Sequence, residues 1–186
     1  MKFYWVLFVV PATLYSQTMK IHLPMQAKLQ YEHKTFEGRV SVQNGLVDIS
    51  RSSKLNLKLP STLSIVDDGK FMWYYDIPLK QVTVYPHSEL WDTLFWDVKK
   101  LKQKYSMKVI HQKSYTRYKL KPKHNMDIKR LIVDVSKQHN LISFSYVDNF
   151  DDTHTYNFLH IRHGKSDKKS YQFTVPKGID VIRYDN

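Results

Sequence analysis

Apolar and polar residues alternate with a period of two along most of this chain. In residues 54–59, KLNLKL, three leucines alternate with lysine and asparagine. The same alternation is found in the segments RVSVQ, QVTVY, RLIVDVS and LISFSYV. Successive side chains of a β-strand point to opposite faces, so the alternation predicts strands with one buried face. Turns are predicted between them at Glu37-Gly38, Asn44-Gly45, Asp68-Gly69 and Gln138-His139-Asn140.

One segment near the middle of the chain has the spacing of an amphipathic helix. It begins at Ser88, a favourable N-cap residue, and its apolar residues recur at helical intervals: Leu90, Leu94, Phe95, Val98 and Leu101. Lysines at its C-terminal end complement the helix dipole. A weaker helical pattern covers residues 17–30, QTMKIHLPMQAKLQ, and is interrupted by Pro24.

This order of segments predicts a largely antiparallel sheet, curled or barrel-like, with helical cover. One short helix can shield only part of such a sheet. The remaining apolar face would promote aggregation if it were exposed, so we expect it to line a cavity. The alternative is an ordinary core packed under the helix.

The first residues, MKFYWVLFVVPATLYSQ, have the features of a secretory signal. Lys2 provides a basic start, and the apolar run that follows is too short to span a bilayer. We expect residues 1–16 to be a signal peptide and residues 17–186 to form one domain, although a buried N-terminal strand is an alternative. The mature protein is therefore expected to be exported.

The formal net charge of +12 would attract polyanions such as nucleic acid, anionic lipid or acidic proteins. A basic proteome would give the same charge without any such partner. An exported protein has little access to nucleic acid, so no nucleic-acid partner is expected. The chain has no cysteine, which excludes disulfides, thiolate nucleophiles and cysteine metal ligands.

Catalytic and metal-binding patterns are weak. His160 and His163 stand three apart in a predicted strand and so face opposite sides, and the DNFDD segment lacks the spacing of a calcium loop. The chain has no G-x-S-x-G, H-E-x-x-H or P-loop motif. We therefore predict no metal, no cofactor and no catalytic residue, while a Ser–His–Asp triad stays open because its members need not be adjacent.

Two blocks of sequence carry a more specific pattern: residues 66–85, VDDGKFMWYYDIPLKQVTVY, and residues 166–182, SDKKSYQFTVPKGIDVI. Both resemble signatures of the outer-membrane lipoprotein carrier family, LolA. The matches in the first block include Asp68, Gly69, Lys70 and Trp73, and those in the second include Phe173. Asp92-Thr93-Leu94-Phe95 resembles the lid helix of the family, and the resemblance extends roughly from Ala27 to Ile182.

The resemblance implies an incomplete antiparallel β-barrel of about ten to eleven strands, mainly β with a helical lid, around an apolar cavity. It also implies a periplasmic chaperone of Gram-negative bacteria that binds the acyl chains of lipoproteins. Its expected partners are acylated lipoproteins, an inner-membrane lipoprotein-releasing ABC transporter and an outer-membrane acceptor. We expect a monomer without enzymatic activity.

The alternation and the resemblance together indicate which residues line the lipid cavity. These are Leu55, Leu57, Leu59, Phe71, Trp73, Tyr75, Val82, Val84, Leu94, Phe95, Leu131, Val133, Phe144 and Tyr146. The resemblance further implies that Arg51 is a latch, whose guanidinium bonds to helical lid segments and holds the empty form closed. Ser52 follows it where the family usually has proline.

Two other functions remain open at this level. A lipid-sensing or lipid-shuttling module could use the same fold, because fold alone does not determine function. A secreted hydrolase with an apolar pocket would need a nucleophile beside a base.

Overall fold

A computed structural model describes residues 19, 21–23, 25–52, 54–87, 98–124, 128–164 and 167–184, with only the backbone described at 98–100. The predicted signal peptide and residues 88–97 of the predicted lid helix lie outside the described residues. No helix in the described part of the chain is long and apolar enough to cross a membrane.

Twelve β-strands form a single sheet in the described residues. They are β1 (Met25–Lys34), β2 (Val40–Ile49), β3 (Leu55–Leu59), β4 (Leu63–Asp67), β5 (Phe71–Asp76), β6 (Gln81–Pro86), β7 (Tyr105–His111), β8 (Tyr115–Pro122), β9 (Ile128–Ser136), β10 (Leu141–Asp148), β11 (Thr153–His163) and β12 (Asp180–Arg183). The spatial order is β12-β6-β5-β4-β3-β2-β1-β11-β10-β9-β8-β7. Neighbouring strands are antiparallel, except that β12 is parallel to β6. The predicted mainly β, antiparallel fold is confirmed.

Two short helices accompany the sheet in the described residues. Helix α1 (Val98–Lys104) leads directly into β7, and its Leu101 is buried against the sheet. A 3₁₀ helix (Lys168–Tyr171) follows β11, with the Asp167 side chain as its N-cap acceptor. Helical content is therefore small, and the sheet supplies nearly all of the described framework.

The turn predicted at Asn44-Gly45 is wrong, because β2 runs through both residues. A Cβ atom at Gly45 would lie 2.2 Å from the Lys58 carbonyl oxygen and 2.8 Å from the Leu59 side chain. Gly45 is thus needed for the close approach of β3 to β2, and not for a reversal of the chain. The turns at Gly38 and Gly69 are confirmed, and both glycines have positive φ.

The weak helical pattern over residues 17–30 also gave a wrong prediction for the part that the structure describes. Met25 to Ala27 belong to β1, and residues 21–23 are not helical. The His22 amide donates to the His139 carbonyl at 2.8 Å, so this segment runs beside the β9–β10 turn. Pairing with β2 and β11 satisfies the backbone of Met25–Ala27 better than an isolated turn of helix could.

Cross-strand pairing divides the sheet into two faces, because directly paired residues project to the same side. The inner face carries Leu29, Val47, Leu57, Val133 and Phe144, which belong to one buried apolar cluster together with Leu101 of α1. The outer face is the opposite side, to which residues such as Asp48, Asn56 and Val66 project. The core therefore lies on the inner face.

The sheet curls around this inner face. Tyr74 on β5 is close enough to Tyr31, Tyr146 and Tyr156 to raise the pKa of each electrostatically. In the sheet order, β5 and β10 are six strand spacings apart, which is about 29 Å in a flat sheet. Only strong curvature brings Tyr74 near Tyr146.

Candidate ligand-binding face

Six of the residues predicted for the cavity lie together on the inner face and are deeply buried. None is more than 3% exposed, and all belong to the single apolar cluster: Leu55, Leu57, Leu59, Leu131, Val133 and Phe144. They come from β3, β9 and β10, which the curled sheet brings into one apolar cluster. Tyr146 lies on the same face and is only partly buried.

The other described residues predicted for the cavity lie on the opposite face. Leu57 pairs with Ile65, and Ile65 pairs with Tyr74, so Tyr74 is the β5 residue that reaches the inner face. Trp73 pairs with Val66 and Val84 on the outer face. The prediction that one cavity contains both sets is therefore wrong for five residues: Phe71, Trp73, Tyr75, Val82 and Val84. The last two predicted residues, Leu94 and Phe95, lie outside the described residues.

The C-terminal segment covers these outer-face aromatic residues. Phe173 stacks on Trp73 with ring centroids 5.5 Å apart and also contacts Tyr75 edge-on at 6.3 Å. The Arg183 guanidinium lies 5.4 Å from the centre of the Trp73 ring. The aromatic run of β5 thus fixes the C-terminal segment to the outer face.

Polar side chains attach the same segment to neighbouring strands. The Tyr171 hydroxyl donates to Asp48, and the Asn56 amide donates to the Ser170 carbonyl at 2.5 Å. Asp48 also accepts from Gln26 at 2.8 Å. Because Asp48 is only 8% exposed, its hydrogen bonds stabilise a carboxylate that would otherwise be costly to bury.

A basic groove of about 860 Å³ lies beside this attachment. Its lining includes four cationic residues, from two loops and the 3₁₀ helix, together with two aromatic rings of the outer face: Arg51, Lys54, Lys70, Lys168, Trp73 and Phe173. Asp68 adds one carboxylate. The groove concentrates part of the net positive charge at one end of the sheet.

A second group on the inner face was missed by sequence reasoning, except for Tyr146. This tyrosine cluster consists of Tyr31, Tyr74, Tyr146, Tyr156 and His154. The Tyr31 hydroxyl is 2.8 Å from His154 Nδ1, and the rings of Tyr31 and Tyr156 are 4.9 Å apart. The His154 ring stacks on Tyr146 at 4.5 Å. Alternation in the segments YEH and HTY could have signalled it, but their pairing depends on the register of β1 with β11.

Burial and mutual repulsion keep the hydroxyls of this cluster protonated. Desolvation raises the pKa of Tyr31, Tyr146 and Tyr156, and neighbouring tyrosines add to the rise. Burial likewise raises the pKa of Tyr74, with a further contribution from Asp76. These phenols therefore act as hydrogen-bond donors and do not act as nucleophiles near neutral pH.

Two carboxylates border the tyrosine cluster. Asp148 lies 3.2 Å from His154 Nε2, and Asp152 lies 2.8 Å from His33 Nε2. The hydrogen bond from His33 is the largest cause of a lowered pKa at Asp152. The rings of His33 and His154 stack at 4.8 Å, so this end of the inner face is polar while the other end is aliphatic.

Arg51 lies in the loop between β2 and β3, with an exposed side chain. Its Nε donates to the Leu23 carbonyl at 2.6 Å, which joins this loop to the segment that precedes β1. Leu23 is not in a helix, so this acceptor differs from the helical segments expected for a latch. The bond nevertheless joins Arg51 to a segment that packs against the buried apolar cluster.

Comparison with known proteins places this architecture in a family. Residues 26–174 match the family model described as outer membrane lipoprotein carrier protein LolA. The chain belongs to the LolA family. The matched range includes β1 from its second residue, β2 to β11 and the 3₁₀ helix, and thus both the inner face and most of the attachment on the outer face.

Individual LolA relatives are distant in sequence. The outer-membrane lipoprotein carrier protein of Coxiella burnetii (strain CbuK_Q154) is 24% identical over 184 residues, covering 92% of this chain and 86% of that protein. The protein of the same name from Histophilus somni (strain 129Pt) is 26% identical over 147 residues, which cover 76% of this chain and 72% of that protein. A solved structure of an uncharacterized conserved protein from Thermus thermophilus has a TM-score of 0.50 at 13% identity, covering 87% of this chain and 90% of that one. This structural likeness supports the fold alone.

Proposed function

We propose that this protein is a periplasmic carrier of acylated lipoproteins. In this role it accepts lipoproteins released by an inner-membrane ABC transporter and delivers them to an outer-membrane acceptor. Membership of the LolA family supports the general role. The observation that carries the proposal for this chain is the continuous apolar inner face, which extends over strands β1 to β3 and β7 to β11 under one short described helix.

The inner face suits acyl chains because their binding needs apolar contact area and no catalytic group. Each methylene removed from water contributes about 0.8 kcal/mol. Several acyl chains would then bind so tightly that spontaneous release would be slow. The affinity must therefore fall at delivery, through a change in the cover of the inner face or competition from the acceptor.

The Arg51–Leu23 hydrogen bond is a device suited to that change. It joins the β2–β3 loop to a segment that packs on the buried cluster. Cargo that enters the inner face would separate these segments and break the bond. The broken bond would favour return to the empty form and thus promote delivery.

A release assay tests the proposal directly. Inner-membrane vesicles that contain a labelled lipoprotein and the transporter are incubated with ATP and the purified protein, which we expect to appear as a soluble one-to-one complex with the lipoprotein. A cargo variant whose acylated cysteine is replaced should not form the complex. Release that does not depend on this protein, or equal binding of the non-acylated cargo, would contradict the proposal.

A further inference from the structure

The tyrosine cluster presents hydrogen-bond donors on the inner face of the sheet. Its side chains project to the inner face but are only partly buried, unlike Leu131 and Val133 beside them. This end of the face is therefore accessible to a ligand whose chains occupy the aliphatic end. It is also the end at which β1, β10 and β11 meet their connecting turns.

Two hydroxyls of the cluster have hydrogen atoms to donate. The rings of Tyr146 and Tyr156 lie side by side with centroids 6.4 Å apart, and the Tyr146 phenol can donate its hydrogen to a ligand oxygen. Tyr74 has no hydrogen-bond partner among the described residues, although its ring is about as buried as that of Tyr31.

Tyr105 adds a third donor on the same face. Its hydroxyl is buried without a hydrogen-bond partner in the described part of the chain, and the residue is only 1% exposed. Its neighbour on this face, Met107, lies in line with Leu120, Leu131 and Tyr146 across the sheet. Buried hydroxyls without acceptors are uncommon in proteins, and a ligand oxygen would satisfy this one.

The charges at this end favour a neutral acceptor. Asp148 raises the pKa of Tyr31 and Tyr146, and Asp152 raises that of Tyr31, which reports a negative potential at the hydroxyls. The nearby histidines already contact these two carboxylates. A carboxylate or phosphate in a ligand would meet the same repulsion, whereas an ester carbonyl carries no net charge.

We infer that the tyrosine cluster binds the neutral, ester-linked head region of an acylated ligand, with phenol hydroxyls donating to carbonyl oxygens. The site discriminates against ligands whose head group is anionic. The inference rests on the proposed function, because the aliphatic end of the inner face would hold the chains. It adds a polar determinant of ligand choice to a face otherwise defined by apolar contact.

The test compares a fluorescent polyene fatty acid, ionised at pH 8, with its methyl ester, each titrated into the purified mature protein. The ester should bind about fivefold or more tightly than the acid, since one hydrogen bond contributes that factor. Tyr146→Phe and Tyr74→Phe should each weaken ester binding by about fivefold and leave acid binding nearly unchanged. Tyr115→Phe, on the outer side of β8, is the matched control and should change neither affinity.

Carboxylate removal gives a readout that a purely structural role would not produce. Asp148→Asn keeps an oxygen for the turn amides of Phe150 and Asp152 but removes the charge. It should strengthen binding of the acid and not of the ester. Equal affinities for acid and ester in the wild-type protein, or Tyr→Phe variants that bind the ester normally, would overturn the inference.

A separate arm distinguishes this inference from the proposed function. A synthetic diacylated lipopeptide is titrated in parallel with its non-acylated form. If the lipopeptide binds but acid and ester are equal, the inference fails and the carrier function stands. If the lipopeptide does not bind, the carrier function fails as well.

Discussion

The indole of Trp73 stacks on the ring of Phe173, with an interplanar angle of 19°, on the outer face of the sheet. This contact fixes the C-terminal segment across β5, on the side away from Leu57 and Phe144. Trp73 and Phe173 therefore have a structural role on the outer face, whereas Tyr74 of the same strand projects to the inner face.

Loss of this stacking should reduce stability without affecting cargo. We expect Phe173→Ala to lower the free energy of unfolding by about 1 to 2 kcal/mol, since an aromatic pair contributes beyond its buried area. Urea denaturation measures the change, and the release assay should be normal at temperatures where the variant is folded. Phe150→Ala, at a residue that is 80% exposed, is the control and should change neither quantity. A stable Phe173→Ala variant that fails to bind lipoprotein would instead place Trp73 in the ligand site.

A charge on the inner face should prevent binding of acyl chains. Ile65 packs against the apolar cluster and is only partly buried, so the variant Ile65→Glu should still fold. Its affinity for acylated cargo should fall by about tenfold or more, because a charge in apolar surroundings costs more than about 1.4 kcal/mol. Ser64→Glu introduces the same charge at the adjacent, outer-face position and should bind normally. Similar binding by both variants would contradict the assignment of the faces.

Arg51→Leu should impair delivery more than uptake. The variant loses the hydrogen bond to the Leu23 carbonyl, so under the proposed mechanism its empty form gains less on closing, by about 0.5 to 1.5 kcal/mol for a solvent-exposed bond. Carrier and cargo should accumulate as a complex in a transfer assay from purified complex to acceptor membranes. Arg39→Leu, at an exposed arginine of the β1–β2 turn, is the control. Normal transfer by Arg51→Leu would show that delivery does not depend on this contact.

Gly45→Ala tests the reason for glycine within β2. The added Cβ would lie 2.2 Å from the Lys58 carbonyl oxygen, so β2 and β3 would have to separate. We expect a loss of about 1 to 3 kcal/mol in the free energy of unfolding. Gly164→Ala meets nothing within 4 Å and should change stability by less than about 0.5 kcal/mol. Equal effects of the two substitutions would refute a steric origin.

The buried tyrosines predict a loss of stability at high pH. The folded pKa values of Tyr31, Tyr146 and Tyr156 are raised above the ordinary value of 10.0, mainly by burial. At pH values below 10.0 these tyrosine hydroxyls are protonated in both the folded and the unfolded state, so they do not change the stability. Above that pH the unfolded chain releases protons first, so the free energy of unfolding falls as pH rises. Phenolate absorbance and circular dichroism should therefore change together above about pH 10. Complete ionisation of all tyrosines with the native circular dichroism retained would exclude this coupling.

The amino-acid sequence by itself determined the type of the fold. Period-two alternation in segments such as KLNLKL requires strands with one apolar face, and it is a local property of neighbouring residues. Gly38 and Gly69 marked turns because their positive φ is also a local requirement. The family resemblance followed from two blocks of sequence that the structure places in β4 to β6 and in the C-terminal segment.

The tertiary structure alone decided which apolar residues lie on the inner face of the sheet. Leu57 and Trp73 each belong to a strand in which successive side chains alternate between the two faces. Only the register of β3, β4 and β5 shows that these two residues lie on opposite faces. The role of Gly45 likewise depends on Lys58, a residue of the next strand. The tyrosine cluster joins β1, β5, β10 and β11, which come together only because the sheet curls. Register and curvature arise from contacts between distant segments, so no local pattern of residues could reveal them.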